Sequence, residues 1–126
     1  MKKLLCLSLA VLMSTSTMAA NWEELGSTRL NNNRYYIDTS SIDNSGLYTK
    51  VWVKRIGKKL KTSKPKDAQE ARVLYELDCA SKQLRGISGV FYLFDGSFIN
   101  EDVPYNKWFD VVPDSIFGAL MQRVCN

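Results

Sequence analysis

Two periodicities divide the chain. Near the end, Ile116, Phe117, Ala119, Leu120, Met121 and Val124 recur at helical spacing and form a broad apolar arc. Pro113 suits the first turn, where a missing N–H costs nothing. Asp114 puts negative charge at the positive end of this helix, and Arg123 a cation at the other end. A helix of about three turns is not stable alone in water, so it must lie on another element. Upstream the period falls to two. Residues 21–26 and 34–38 read as strands, separated by the turn signal Asn31-Asn32-Asn33. Residues 39–42 suit a short helical turn, and Asp43-Asn44-Ser45-Gly46 a tight turn. Residues 47–56 alternate most clearly, with Leu47, Val51 and Val53 on one face and Tyr48, Lys50, Trp52 and Lys54 on the other. Residues 57–67 read as a loop. In residues 71–79, Ala71, Val73, Tyr75, Leu77 and Cys79 share the core face. Residues 83–94 continue as a strand in which Gly86 and Gly89 allow a bulge, and residues 97–100 form an edge strand after the Asp95-Gly96 turn. Trp108 and Phe109 anchor the link from 104–110 to the helix. The sum is an α+β fold: one twisted antiparallel sheet of five to six strands with a C-terminal helix packed on one face.

The N-terminus supplies the fastening. Met1-Lys2-Lys3 is a basic head, residues 4–13 are apolar, and residues 14–20 are small and polar, ending Thr17-Met18-Ala19-Ala20. This is the layout of a secretory signal peptide, with cleavage expected after Ala19 or Ala20. The apolar run is too short to span a bilayer comfortably, and no second run is long enough. Cys6 sits too early to look like a lipoprotein attachment cysteine and is expected to leave with the signal. The mature chain, residues 21–126, is expected to be one domain with two cysteines, Cys79 and Cys125. In an oxidising compartment two such cysteines pair. The bridge ties the end of the helix to the core face of the 71–79 strand, where the periodicity already places Cys79.

Charge and residue types narrow the function. The whole chain has 17 basic and 13 acidic residues, but Lys2 and Lys3 leave with the signal, so the mature excess is only two. A nucleic-acid partner is not implied, and export argues against one. There is no histidine, which removes the usual general base and the commonest metal ligand. The two mature cysteines are committed to the bridge, and no glycine-rich phosphate loop appears. Asp38 and Asp43 flank a turn and read as solvated or capping carboxylates. Neither catalysis nor a metal or cofactor is expected.

Several strings taken together resemble a known family. They are Trp22, Tyr35-Tyr36-Ile37-Asp38 followed by Ser41-Ile42, Val51-Trp52-Val53, Tyr75-Glu76-Leu77-Asp78-Cys79, Trp108, Val112-Pro113-Asp114-Ser115-Ile116 and Cys125. The ordered set resembles the surface-adhesin protein E-like family and covers nearly all of the mature chain. The resemblance implies an envelope protein of Gram-negative bacteria that binds host extracellular-matrix and plasma proteins and self-associates. The other reading on the same scaffold is a soluble periplasmic protein for small-ligand binding or envelope maintenance. Periplasm and cell surface both fit an exported chain.

Two features are candidates for binding. Residues 55–66 hold six cations, Arg55, Lys58, Lys59, Lys61, Lys64 and Lys66, and no acid before Asp67. Such a lobe steers acidic partners: heparin-like acidic glycans, acidic stretches of matrix proteins, or anionic lipid head groups. It is also how a solvated hairpin blunts a sheet edge. The second feature is the sheet face away from the helix, where Tyr48 and Trp52 lie and Tyr36 and part of 90–94 join them. An exposed aromatic patch there would serve self-association as a homodimer.

Overall fold

Each strand of the sheet pairs antiparallel with its neighbour, so the chain meanders across the sheet. The computed structural model describes residues 19–100, 103 and 107–125. The expected signal peptide lies outside the described residues up to residue 18, as do residues 104–106 of the expected link. The elements are β1 (Trp22–Ser27), β2 (Arg34–Asp38), a 3₁₀ turn (Thr39–Ser41), β3 (Thr49–Lys61), β4 (Asp67–Asp78), β5 (Gln83–Leu93), β6 (Phe98–Asn100), β7 (Phe109–Asp110) and α1 (Ile116–Val124). The sheet order is β1-β2-β3-β4-β5-β6, with β7 pairing the Gln83 end of β5. The sheet therefore has seven strands rather than the expected five to six. The extra strand has two residues, too few to show a period.

Most of the difference from expectation lies at the β3–β4 hairpin. Residues 57–67 are not a loop: β3 runs on to Lys61 and β4 begins at Asp67. A bulge between Ile56 and Leu60 inserts extra residues in β3, and a second in β4 follows Ala68. A bulge shifts the side-chain phase, so the alternation that stops at Ile56 resumes out of step. Leu60 is then turned inward, 3% exposed, against Ala68, Phe91 and Leu93. Gly57 has no room for a side chain, because Asn33 occupies the space where a Cβ would stand. At the other end of β3, Leu47 is not in the core. It lies ahead of the strand and is 87% exposed, and Thr49 takes the buried in-phase position.

The main core lies between the sheet and α1. Ile37, Val51, Val53, Leu77 and Leu84 meet Leu120, Met121 and Val124. A second cluster, Leu60, Ala68, Ala71, Phe91 and Leu93, sits nearer the hairpin, with Ile99 against it. Ser115 caps the helix, its Oγ accepting from Gly118 N–H at 3.1 Å. Pro113 and Asp114 form a turn before the helix rather than its first turn, with Asp114 at φ 60°. The expected dipole role of Asp114 therefore passes to the Ser115 hydroxyl. Arg123 does occupy the last turn, and it reaches Glu23 of β1 as an ion pair. Cys79, just past β4, is bonded to Cys125 at the C-cap, with Cα atoms 5.6 Å apart.

Candidate functional site

The basic hairpin is held more firmly than a loop would be. Lys58, Lys59 and Lys61 lie on β3, and Lys64 and Lys66 on the five-residue tip 62–66, all exposed. Buried Leu60 pins the strand between them, so the lysines project from a fixed backbone. In the tip, Thr62 Oγ1 lies 2.8 Å from Lys64 O and 2.7 Å from Lys66 O, and it accepts from Lys64 N–H at 3.2 Å. Among the described residues, only Lys61 of the five lysines is in an ion pair, with Asp67 at 3.1 Å. Arg55 does not belong with them. It stands in register with Ala71 on the side that carries α1 and is half-buried there.

The lysines border an apolar surface that the sequence did not reveal. Phe94 follows β5 and is 61% exposed, and Phe98 of β6 is 65% exposed. An open groove of about 590 Å³ runs beside Phe94, with Ile56, Tyr92 and Phe94 as apolar lining, Arg34, Lys58 and Arg72 as cations, and Glu70, which pairs with Arg72, as its acid. A second hollow of about 400 Å³ joins Phe94 to Lys58, Lys59 and Lys66, with Asp67 and Asp95 also in its lining. The β5–β6 turn places Phe94 there. Gly96 takes φ 85°, and Asp95 accepts from Ser97 N–H at 2.9 Å and from its hydroxyl.

The face away from the helix carries rings, and cations cover them. Lys54 Nζ lies 4.5 Å from the Trp22 ring centre and 5.1 Å from that of Tyr36. Arg72 lies between Trp22 and Tyr92, at 5.4 and 4.9 Å. Arg85 lies over Trp108 at 4.5 Å and over Tyr48 at 5.8 Å, and it pairs with Glu76 at 3.1 Å. Tyr48 meets Trp108 edge-on, with ring centres 4.8 Å apart. Tyr48 and Trp52 are both half-buried on this face. The Trp52 N–H donates to Ser41 Oγ at 2.9 Å. The sequence placed Tyr36, Tyr48 and Trp52 here. It did not show Trp22 or Trp108 joining them, which depends on chain crossings rather than on local pattern.

The carboxylates serve turns. Asp38 accepts from Ser40 N–H, the Ser40 hydroxyl and Asn21 N–H. Asp43, Asp78 and Asp95 are each held below the usual carboxylate value, chiefly by the hydroxyls of Ser45, Ser81 and Ser97. A carboxylate stabilised as the anion in a turn is a poor proton carrier near neutral pH. Among the described residues, no helix is long and apolar enough to cross a membrane.

The family model for surface-adhesin protein E matches residues 22–126. The chain belongs to the surface-adhesin protein E family. The match begins at Trp22 of β1 and takes in both bridge cysteines. Among solved structures, crystal form II of Haemophilus influenzae protein E is similar at 21% identity and a TM-score of 0.55, covering 72% of this chain and 79% of that one. The selenomethionine form of that protein gives 22% identity and a TM-score of 0.55, covering 86% and 88%. Protein E from non-typeable Haemophilus influenzae gives 20% identity and 0.51, covering 87% and 78%. At these identities the likeness extends to the fold. No curated protein sequence matches the chain.

Proposed function

We propose that this member of the surface-adhesin protein E family is a non-enzymatic binding protein displayed at the bacterial surface. It grips acidic macromolecules, host matrix proteins or acidic glycans, with the β3–β4 hairpin. The observation that carries the reading is the hairpin itself: five exposed lysines on a backbone fixed by Leu60, with exposed Phe94 beside Lys58, Lys59 and Lys66. Fixed cations lose less freedom on binding than cations on a mobile loop. The neighbouring Phe94 adds apolar contact that a bare polycation lacks. The absence of histidine from the sequence supports binding rather than catalysis. Self-association is assigned to the ring-bearing face around Tyr48 and Trp52, where half-buried aromatics and aliphatic side-chain stems form a broad mixed surface.

Display separates this reading from a periplasmic role. Treating intact cells with a protease that cuts after lysine should remove the protein while a periplasmic marker survives. Loss only after the outer membrane is broken would place the protein inside and remove the adhesin reading.

A further inference from the structure

Arg55, the first cation of the basic run, faces away from the groove and into a cavity. On the helix side of the sheet, between the two core clusters, a space of about 250 Å³ is lined by Arg55, three rings and three small apolar side chains. Tyr35, Tyr75 and Phe117 are the rings, with Tyr75 and Phe117 edge-on at 5.2 Å. Val53, Ala71 and Val73 complete the lining, and no carboxylate is among these residues. Arg55 Nε is buried and has no hydrogen-bond partner. Buried polar atoms are almost always paired, and an unpaired donor on a charged group is costly. The fold tolerates that cost at the wall of a mixed space, where rings and small apolar side chains stand beside three side chains with polar groups, Arg55 and the tyrosines Tyr35 and Tyr75.

We propose that this cavity binds a small organic monocarboxylate, its carboxylate on Arg55 and its apolar body among the three rings. Guanidinium favours a planar anion that accepts two parallel hydrogen bonds, as a carboxylate does. The size limits the body. An apolar cavity of about 150 Å³ takes up benzene, so one ring with a short acid arm fits this larger one, whereas drug-sized ligands need about 300 Å³ or more. The site is separate from the lysine hairpin, and neither depends on the other.

The test is a titration of the oxidised protein with 3-phenylpropionate, followed by NMR of the Val53, Val73 and Phe117 side chains. 3-Phenylpropan-1-ol serves as the uncharged control. The acid should give saturable shifts at these three residues and bind at least tenfold more tightly than the alcohol. Arg55→Met removes the buried, unpartnered Nε donor and leaves an apolar side chain of similar reach, so it should melt no lower than the parent. In that variant the acid and the alcohol should bind equally. Ala71→Leu fills the space and should abolish binding of both. The proposal is overturned by acid shifts that do not saturate at millimolar concentration, by equal binding of acid and alcohol to the parent, or by undiminished acid binding in Ala71→Leu. The last outcome decides the matter even if Arg55→Met does not fold.

Discussion

Loss of the Cys79–Cys125 bridge is expected to lower the unfolding free energy by about 4 kcal/mol and the melting temperature by roughly 20 °C. The bridge closes a loop of 46 positions, and that closure restricts the unfolded chain. A small domain has only about 5–15 kcal/mol to lose. The damage should begin at the helix. Its nine residues are too few to hold helical structure alone, and its tethers besides the bridge include the packing of Phe117, Leu120, Met121 and Val124, with Phe117 edge-on to Tyr75, and the Arg123–Glu23 pair. An exposed ion pair contributes about 0–1 kcal/mol and does not replace a covalent tie. The double variant Cys79→Ser/Cys125→Ser, compared with the oxidised parent by thermal denaturation, gives the magnitude. Hydrogen exchange gives the order, with the amides of Leu120 to Val124 exposed before those of β3 and β4. A melting temperature within about 2 °C of the parent would mean that packing alone holds the helix.

Reversing charge at the hairpin should leave the fold intact and remove binding. The variant Lys58→Glu/Lys59→Glu/Lys61→Glu is expected to weaken binding to a sulfated glycan at least 100-fold at low salt. Its melting temperature should stay within about 2 °C of the parent, because the three side chains are exposed and the one ion pair lost is a surface pair. Affinity of the parent should fall steeply as salt rises, since screening over about 10 Å at 0.1 M separates exposed charges from a partner. A second triple variant distinguishes place from total charge. Lys50, Lys82 and Lys107 are also exposed, and they lie toward the other end of the sheet, where β4 turns into β5 and β7 pairs. Glutamate at those three positions changes the net charge equally and should cost less than a tenth as much affinity. Equal loss in both variants would reduce the hairpin to one part of a diffuse field.

Elements with an uninterrupted period were legible in the chain. β2 is legible with its observed bounds, and the helix from the spacing of Ile116, Phe117, Ala119, Leu120, Met121 and Val124. The bridge follows from counting the two cysteines that an exported chain is expected to keep. The bulge in β5, where Leu74 faces Ser88 and Tyr75 faces Gly86, is signalled by Gly86, but the interruptions in β3 are not legible. Leu60 belongs to the core, but the bulge after Ile56 displaces it from the alternation of Val51 and Val53, and the lysines around it look like loop. Arg55 keeps that alternation and so belongs with Val53, although its charge grouped it with the lysines. The same alternation places Leu47 inward only if it is extended past the point where the strand starts. For the site, the lysines were legible as composition. Their apolar neighbours were not, because Phe94 reaches them through the β5–β6 turn, 28 positions beyond Lys66. The ring-bearing face likewise rests on register, with Tyr36 opposite Lys54 and Lys54 opposite Arg72.

Residue-by-residue mapping of a bound acidic ligand bears most directly on where this protein makes contact. In a ¹H–¹⁵N titration of the oxidised protein with a sulfated oligosaccharide, saturable shifts should cluster at residues 57–67 and 92–98. Shifts concentrated at Trp22, Tyr48 and Trp52, or scattered evenly over the surface, would contradict the hairpin as the binding element.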